Sequence, residues 1–212
     1  AGWCDMIARM WPVAAVVGEN GAFSFRYDRA ARRMIREFQF SDTERARDQT
    51  KLAALFAAIK AKYPQAQLSA DQAYRISDYA IDFCEDVEPL SRTIIDDMVA
   101  MLEAGGATVK ISSIHINTWF GDFSKQQMSR RLLTEGFGER QGDLQKLVVY
   151  SGDSPNDGPM FEHFRLSVGV ANIVPFLKEM PHHPRWLTGA PGGHGFCELA
   201  ELLLARPAAL RP

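Results

Sequence analysis

The chain has 212 residues, 46% hydrophobic and 24% charged, with a net charge of −2. This is the composition of an ordinary globular protein, and it excludes nucleic-acid binding through a basic surface. Cys4, Cys84 and Cys197 are odd in number, far apart and without a C-x-x-C, which excludes a disulfide framework or a cysteine zinc site. With no signal-peptide pattern and no apolar run near the roughly 18 residues of a membrane span, the expectation is a cytoplasmic protein with no membrane contact.

In chain order, Ile7 to Trp11 reads as the end of a helix and Val13 to Val17 as a strand, followed by the turn "GENG". "AFSFRYD" and "RMIREFQF" are aromatic, β-branched and partly alternating, so they predict a hairpin. From Ser41 to Tyr63 the pattern is helical, with Leu52, Leu55, Phe56 and Ile59 on one face, and Pro64 stops it. Residues 73–83 alternate and predict two short strands or one bent strand. Pro89 to Ala104 predicts a second amphipathic helix, ended by Gly105 and Gly106. "ATVKISSIHINTWF" predicts two more strands. The order over residues 23–119 is β-β-α-β-β-α-β-β, an open sheet with helices on one face.

The rhythm then changes. A helix is expected over 124–135, a strand over 147–150, a short helix over 158–164, a strand in "LSVGVAN", a helical piece in "IVPFLKEM" and a last strand in "WLTG". "GAPGGHGF" then leads into a terminal helix. Strands alternating with helices predict a parallel sheet. The fold class is therefore α/β: a core of residues 1–22 and 120–212, with an α+β domain of residues 23–119 inserted.

Two stretches carry chemistry. In "LVVYSGDSPNDGPMF", Asp153, Asn156 and Asp157 follow an apolar strand. Ligands of open parallel sheets sit beyond the carboxyl ends of strands, and hard cations such as Mg²⁺ take carboxylate oxygens. A helix cap within a turn accounts for the same residues equally well. In "GDFSKQQM", Ser124 and Gln127 form the S-x-x-Q capping pattern. Lys125 then stands at the positive end of a helix dipole, an unfavourable place that a bound anion would relieve. A solvent-facing lysine is the alternative. Glu19 and Asn20 follow the first strand and are candidates either for substrate contact or for a turn.

Lysine, then G-D-S-x-N-D, with a helix and a strand between, resembles motifs III and IV of the haloacid dehalogenase (HAD) superfamily of phosphohydrolases. "VVGENGAF" is similar to the segment preceding the cap in the subfamily with a large α+β cap (IIB), the inserted 23–119 is similar to that cap in size and order, and "LSVGVAN" is similar to the strand after motif IV. The closest resemblance is to sugar-phosphate phosphatases. It implies a HAD-like, Rossmann-like parallel-sheet core with an inserted α+β cap. It also implies Mg²⁺-dependent hydrolysis of a small-molecule phosphomonoester, a sugar phosphate, through an aspartyl-phosphate. Lys125 would be the catalytic residue that anchors phosphate and nucleophile, Asn156 a phosphate- or metal-side hydrogen-bonding group, and Asp153 and Asp157 the Mg²⁺-binding acids. Oligomeric state is not readable from the sequence.

One departure is serious. The D-x-D that supplies nucleophile and general acid in the family has no counterpart in these 212 residues, nor does the motif II Ser or Thr. The expectation is a truncated chain, short of about 40 to 50 residues, enough for two βα units, and inactive by itself. A non-catalytic HAD-like module that binds a ligand or partner is the alternative.

Overall fold

The computed structural model describes residues 1–205 and forms two compact units, Ala1–Gly138 and Glu139–Pro212. The end of the expected core, residues 206–212, lies outside the described residues. Among the described residues, no helix is long and apolar enough to cross a membrane.

The first unit begins with helix α1 (Gly2–Met10) and strand β1 (Val16–Gly18). A turn, Glu19–Gly21, leads into the hairpin β2 (Phe23–Asp28) and β3 (Arg33–Phe38). β1 pairs antiparallel with β2, so residues 16–38 hold one three-stranded sheet, β1-β2-β3. The predicted strand over 13–17 shrinks to its end, because only Val16 onward finds register with β2. Phe23 and Phe25 stack at 4.4 Å, and Phe38 meets both rings. This aromatic cluster, joined by Trp119 and Phe123, is the core beneath the hairpin.

Helix α2 (Asp42–Lys62) starts at a capping box: Glu44 N–H donates to Ser41 Oγ, and Ser41 N–H donates to the Glu44 carboxylate. Then come β4 (Gln67–Leu68), β5 (Tyr79–Asp82), α3 (Arg92–Ala104), β6 (Thr108–Ile111) and β7 (His115–Trp119). The expected β-β-α-β-β-α-β-β order over 23–119 holds. Within it, however, residues 73–78 are not strand, and the extra strand lies earlier, at β4. Gln72 explains the shift. Its amide donates to Asp78 C=O at 3.1 Å and accepts from Ala80 N–H at 2.9 Å, so a side chain does there what a paired strand would do.

The four strands form one antiparallel sheet, β4-β5-β7-β6. Ile81 and Ile116 are register partners, and their face buries Ile59 of α2 and Ile95, Met98 and Leu102 of α3. Asp82 and His115, the next pair, stand on the opposite face because strand side chains alternate. After β7 comes helix α4 (Lys125–Arg131), which runs into a π-helical turn at 132–136.

The second unit holds α5 (Leu144–Leu147), β8 (Val149–Gly152), α6 (Gly158–His163), β9 (Leu166–Gly169), β10 (Trp186–Leu187) and α7 (Gly192–Leu204). Its three strands are parallel, in the order β10-β9-β8, as the βα rhythm predicts. β8 lies two residues later than expected. Leu144–Leu147 closes a helical turn, with Val148 N–H donating to Leu144 C=O at 3.0 Å, and the strand begins only beyond it.

Ile116 is fully buried at the centre of the aliphatic core. Ile116→Ala should lower the unfolding free energy by about 3 kcal/mol in urea titrations. A loss below about 1 kcal/mol would mean that α2 and α3 do not pack on that face.

Candidate active site

In the second unit, β8 and β9 run parallel and end at Gly152 and Gly169. The loops leaving these two carboxyl ends carry Asp153 and Asn172, and Asn172 Nδ2 donates to Asp153 Oδ2 at 3.1 Å. Asn172 Oδ1 in turn accepts from Gly192 N–H at 2.9 Å, which ties the glycine-rich loop to the same spot. In the sequence, "LSVGVAN" predicts a strand and gives Asn172 no role. The available signal was its position, just beyond the end of the strand parallel to β8.

Asp157 faces inward. It is 4% exposed. Its Oδ1 accepts from the Tyr150 hydroxyl at 2.7 Å, and its Oδ2 accepts from the backbone of Asp153 at 2.9 Å and Ser154 at 3.2 Å. Burial and the neighbouring Asp157 charge push the Tyr150 hydroxyl far above its ordinary value, so it remains a donor. Gly152 is required by this packing: a Cβ there would sit 2.7 Å from Asp157 Oδ2. The Asn156 amide oxygen accepts from Ser154 Oγ at 2.8 Å. Asp157 therefore fixes the loop from inside, and the Asp153 carboxylate is exposed at its surface.

In the first unit, Lys125 is the first residue of α4, and Ser124 Oγ caps it by accepting from Gln127 N–H at 3.2 Å. The Glu19–Gly21 turn packs against this helix start. All three of its residues have positive φ: 44° at Glu19, 57° at Asn20 and 101° at Gly21. A Cβ at Gly21 would meet the Ser124 carbonyl oxygen at 2.2 Å and Lys125 N at 2.7 Å. The structure thus brings the Glu19–Asn20 pair and Lys125, three of the sequence-predicted site residues, into one place.

Both turn side chains hold backbone and buried groups. The Glu19 carboxylate accepts from Ile76 N–H at 3.0 Å and Ser77 N–H at 2.6 Å. Asn20 Nδ2 donates to Asp78 Oδ2 at 2.9 Å, and Arg75 approaches the same carboxylate at 3.1 Å. Asp78 is fully buried. Burial and the nearby Glu19 charge push its carboxyl up to about 6, against the opposing pull of Arg75 and Asn20.

Two predictions follow from these carboxylates. Asp157→Ala leaves a buried hydroxyl and two amides without their acceptor, and should cost about 2–4 kcal/mol of unfolding free energy; a change within about 0.5 kcal/mol would show that the loop does not depend on it. Asp78 is protonated more readily in the folded chain than at its ordinary 3.8. Its contribution to stability is therefore complete below 3.8 and is lost as pH rises through about 6. Urea unfolding between pH 4 and 7 should show the parent chain losing stability relative to Asp78→Asn. Parallel curves would contradict the assignment.

No protein-family model matches the sequence, and no curated protein matches it. Solved structures do. A Thermoplasma acidophilum protein superposes with a TM-score of 0.64 at 16% identity, over 94% of this chain and 76% of that one. Sucrose-phosphatase from Synechocystis sp. PCC6803, solved with sucrose and phosphate, gives 0.60 at 14% identity, over 95% and 78%. A HAD subclass IIB sugar phosphatase gives 0.59 at 12% identity, over 91% and 76%. At such identities the likeness is one of fold: this chain has the α/β fold of the haloacid dehalogenase superfamily phosphatases.

Proposed function

We propose that this chain belongs to a Mg²⁺-dependent phosphomonoester hydrolase of the HAD type that acts on a sugar phosphate. The observation that carries the reading is the Asp153 loop: an exposed carboxylate at the carboxyl end of a parallel strand, held in place by a buried acid beneath it. The solved neighbours described as sugar phosphatases support the substrate class.

The donor set suits a hard cation, which takes carboxylate oxygens and keeps water or phosphate on its other positions. Asp153 would hold it directly, with Asp157 as the second acid behind. Mg²⁺ bound there would screen the charge between phosphate and an anionic nucleophile. Lys125 would hold phosphoryl oxygens, its charge placed by the Ser124 cap and by the turn that backs onto it. Glu19 and Asn20 would contact substrate beside Lys125, in addition to forming the turn that backs onto the start of α4. Asn156 would hydrogen-bond at the phosphate. Residues 23–119 would form the cap that selects the substrate and excludes water.

Because these residues contain no D-x-D, the 212-residue chain should show no Mg²⁺-dependent hydrolysis of p-nitrophenyl phosphate. With Glu85→Gln as the background, it should bind Mn²⁺ weakly, by electron paramagnetic resonance, and adding Asp153→Asn should abolish that binding while adding Asp96→Asn leaves it intact. Turnover that survives Asp153→Asn would sink the proposal. The absence of D-x-D also favours a second reading, a non-catalytic binding module. A longer natural chain with a D-x-D strand ahead of Ala1 should hydrolyse phosphomonoesters; a natural chain that nowhere carries one is the binding module.

A further inference from the structure

We propose that Asp82, Glu85 and His115 form a binding site for a first-row divalent transition-metal ion of the zinc class. It lies on the polar face of the four-stranded sheet and uses none of the residues assigned to phosphate chemistry.

The backbone builds the site. Asp82 on β5 and His115 on β7 are direct register partners, on the face opposite Ile81 and Ile116. After Asp82 the chain folds back on itself. Cys84 N–H and Glu85 N–H donate to Asp82 Oδ1 at 3.0 and 2.8 Å, and Asp86 N–H donates to Oδ2 at 2.9 Å. This turn carries Glu85 over the histidine, so that Oε2 lies 2.8 Å from His115 Nε2. One ligand atom from each of the three residues falls within 4.8 Å of the others.

The second observation concerns the histidine. His115 is 8% exposed, and its Nε2 is buried without a hydrogen bond. Glu85 Oε2 stands at an ion-pair distance of 2.8 Å from that nitrogen and makes no hydrogen bond with it. A turn cap explains Asp82, and an exposed ion pair would explain Glu85. Neither explains a buried imidazole nitrogen with no hydrogen bond, since buried polar atoms normally have one. A shared cation does. Two ligands about 2.1 Å from one tetrahedral ion stand about 3.4 Å apart, so the exposed Glu85 side chain has only to draw back by about 0.6 Å from its 2.8 Å contact to admit the ion.

The donor set selects the metal class. One imidazole nitrogen with two carboxylates suits zinc, cobalt or nickel, whereas Mg²⁺ and Ca²⁺ take oxygen alone. Glu85, Asp86 and His115 also line a cavity of about 440 Å³, together with Asp71, Tyr74 and Arg75. Three protein ligands with a fourth position open to a cavity is the layout in which zinc keeps a water or an exchangeable small molecule.

The test is calorimetric titration of the 212-residue chain with Zn²⁺ alone. One ion per chain should bind. Glu85→Gln and His115→Gln should each weaken binding more than about tenfold, while Asp153→Asn and Cys84→Ser leave it unchanged. Glu85 is exposed, so Glu85→Gln carries the test even if His115→Gln fails to fold. The proposal is overturned if Zn²⁺ does not bind saturably, if Glu85→Gln binds as the parent does, or if binding is lost with Cys84→Ser or Asp153→Asn.

Discussion

The Glu19–Asn20–Gly21 turn is the constraint on which the first unit depends. Three successive residues occupy the left-handed region, which costs roughly 1–2 kcal/mol for each residue that is not glycine. The cost is offset by bonds to one distant stretch: Glu19 accepts from Ile76 and Ser77, and Asn20 donates to Asp78. Gly21 then allows the backbone to approach the start of α4 more closely than any Cβ would permit. One turn therefore sets the end of β1, the path of residues 75–78 and the position of Lys125. Its glutamate and asparagine both bond to residues 76–78.

A similar device appears twice more, on different scaffolds. Asp157 and Asp82 are both buried acids that accept backbone amides from their own loops. Hydrogen bonds to a charged acceptor are worth about 1.5–3 kcal/mol each, enough to specify a tight loop against many alternatives. In both places the buried acid leaves a second acid exposed on the same loop, Asp153 in one and Glu85 in the other. The buried acid is taken up by the amides of its own loop, and the exposed one keeps its carboxylate at the surface.

The four-stranded sheet separates its two faces in the same manner. One face is aliphatic and sealed by α2 and α3. The other carries Asp82 and His115, paired across β5 and β7. A slip of one residue in that pairing would exchange the faces, so the Ile81–Ile116 contact that builds the core also holds the polar pair in place.

Much of this was legible in the sequence because periodicity is local. The apolar faces of α2 and α3, the hairpin, the parallel strands and the order of elements over 23–119 follow from spacing along the chain, and the solved neighbours have the HAD fold that the motifs resembled. The sequence also determined which residue types stand after β8 and at the start of α4. Burial and pairing across the chain were decided by tertiary structure alone. Nothing near Asp157 in the sequence says that Tyr150 and two amides take up its oxygens, or that Asn172, 19 positions from Asp153, meets it. Gln72 displaces a strand by bonding the backbone of residues 78 and 80, and His115 finds Glu85 only through a sheet register. Local pattern sets what an element is; which polar atoms lose water and must find partners depends on segments far apart in the chain, and that accounting closes only in the folded structure.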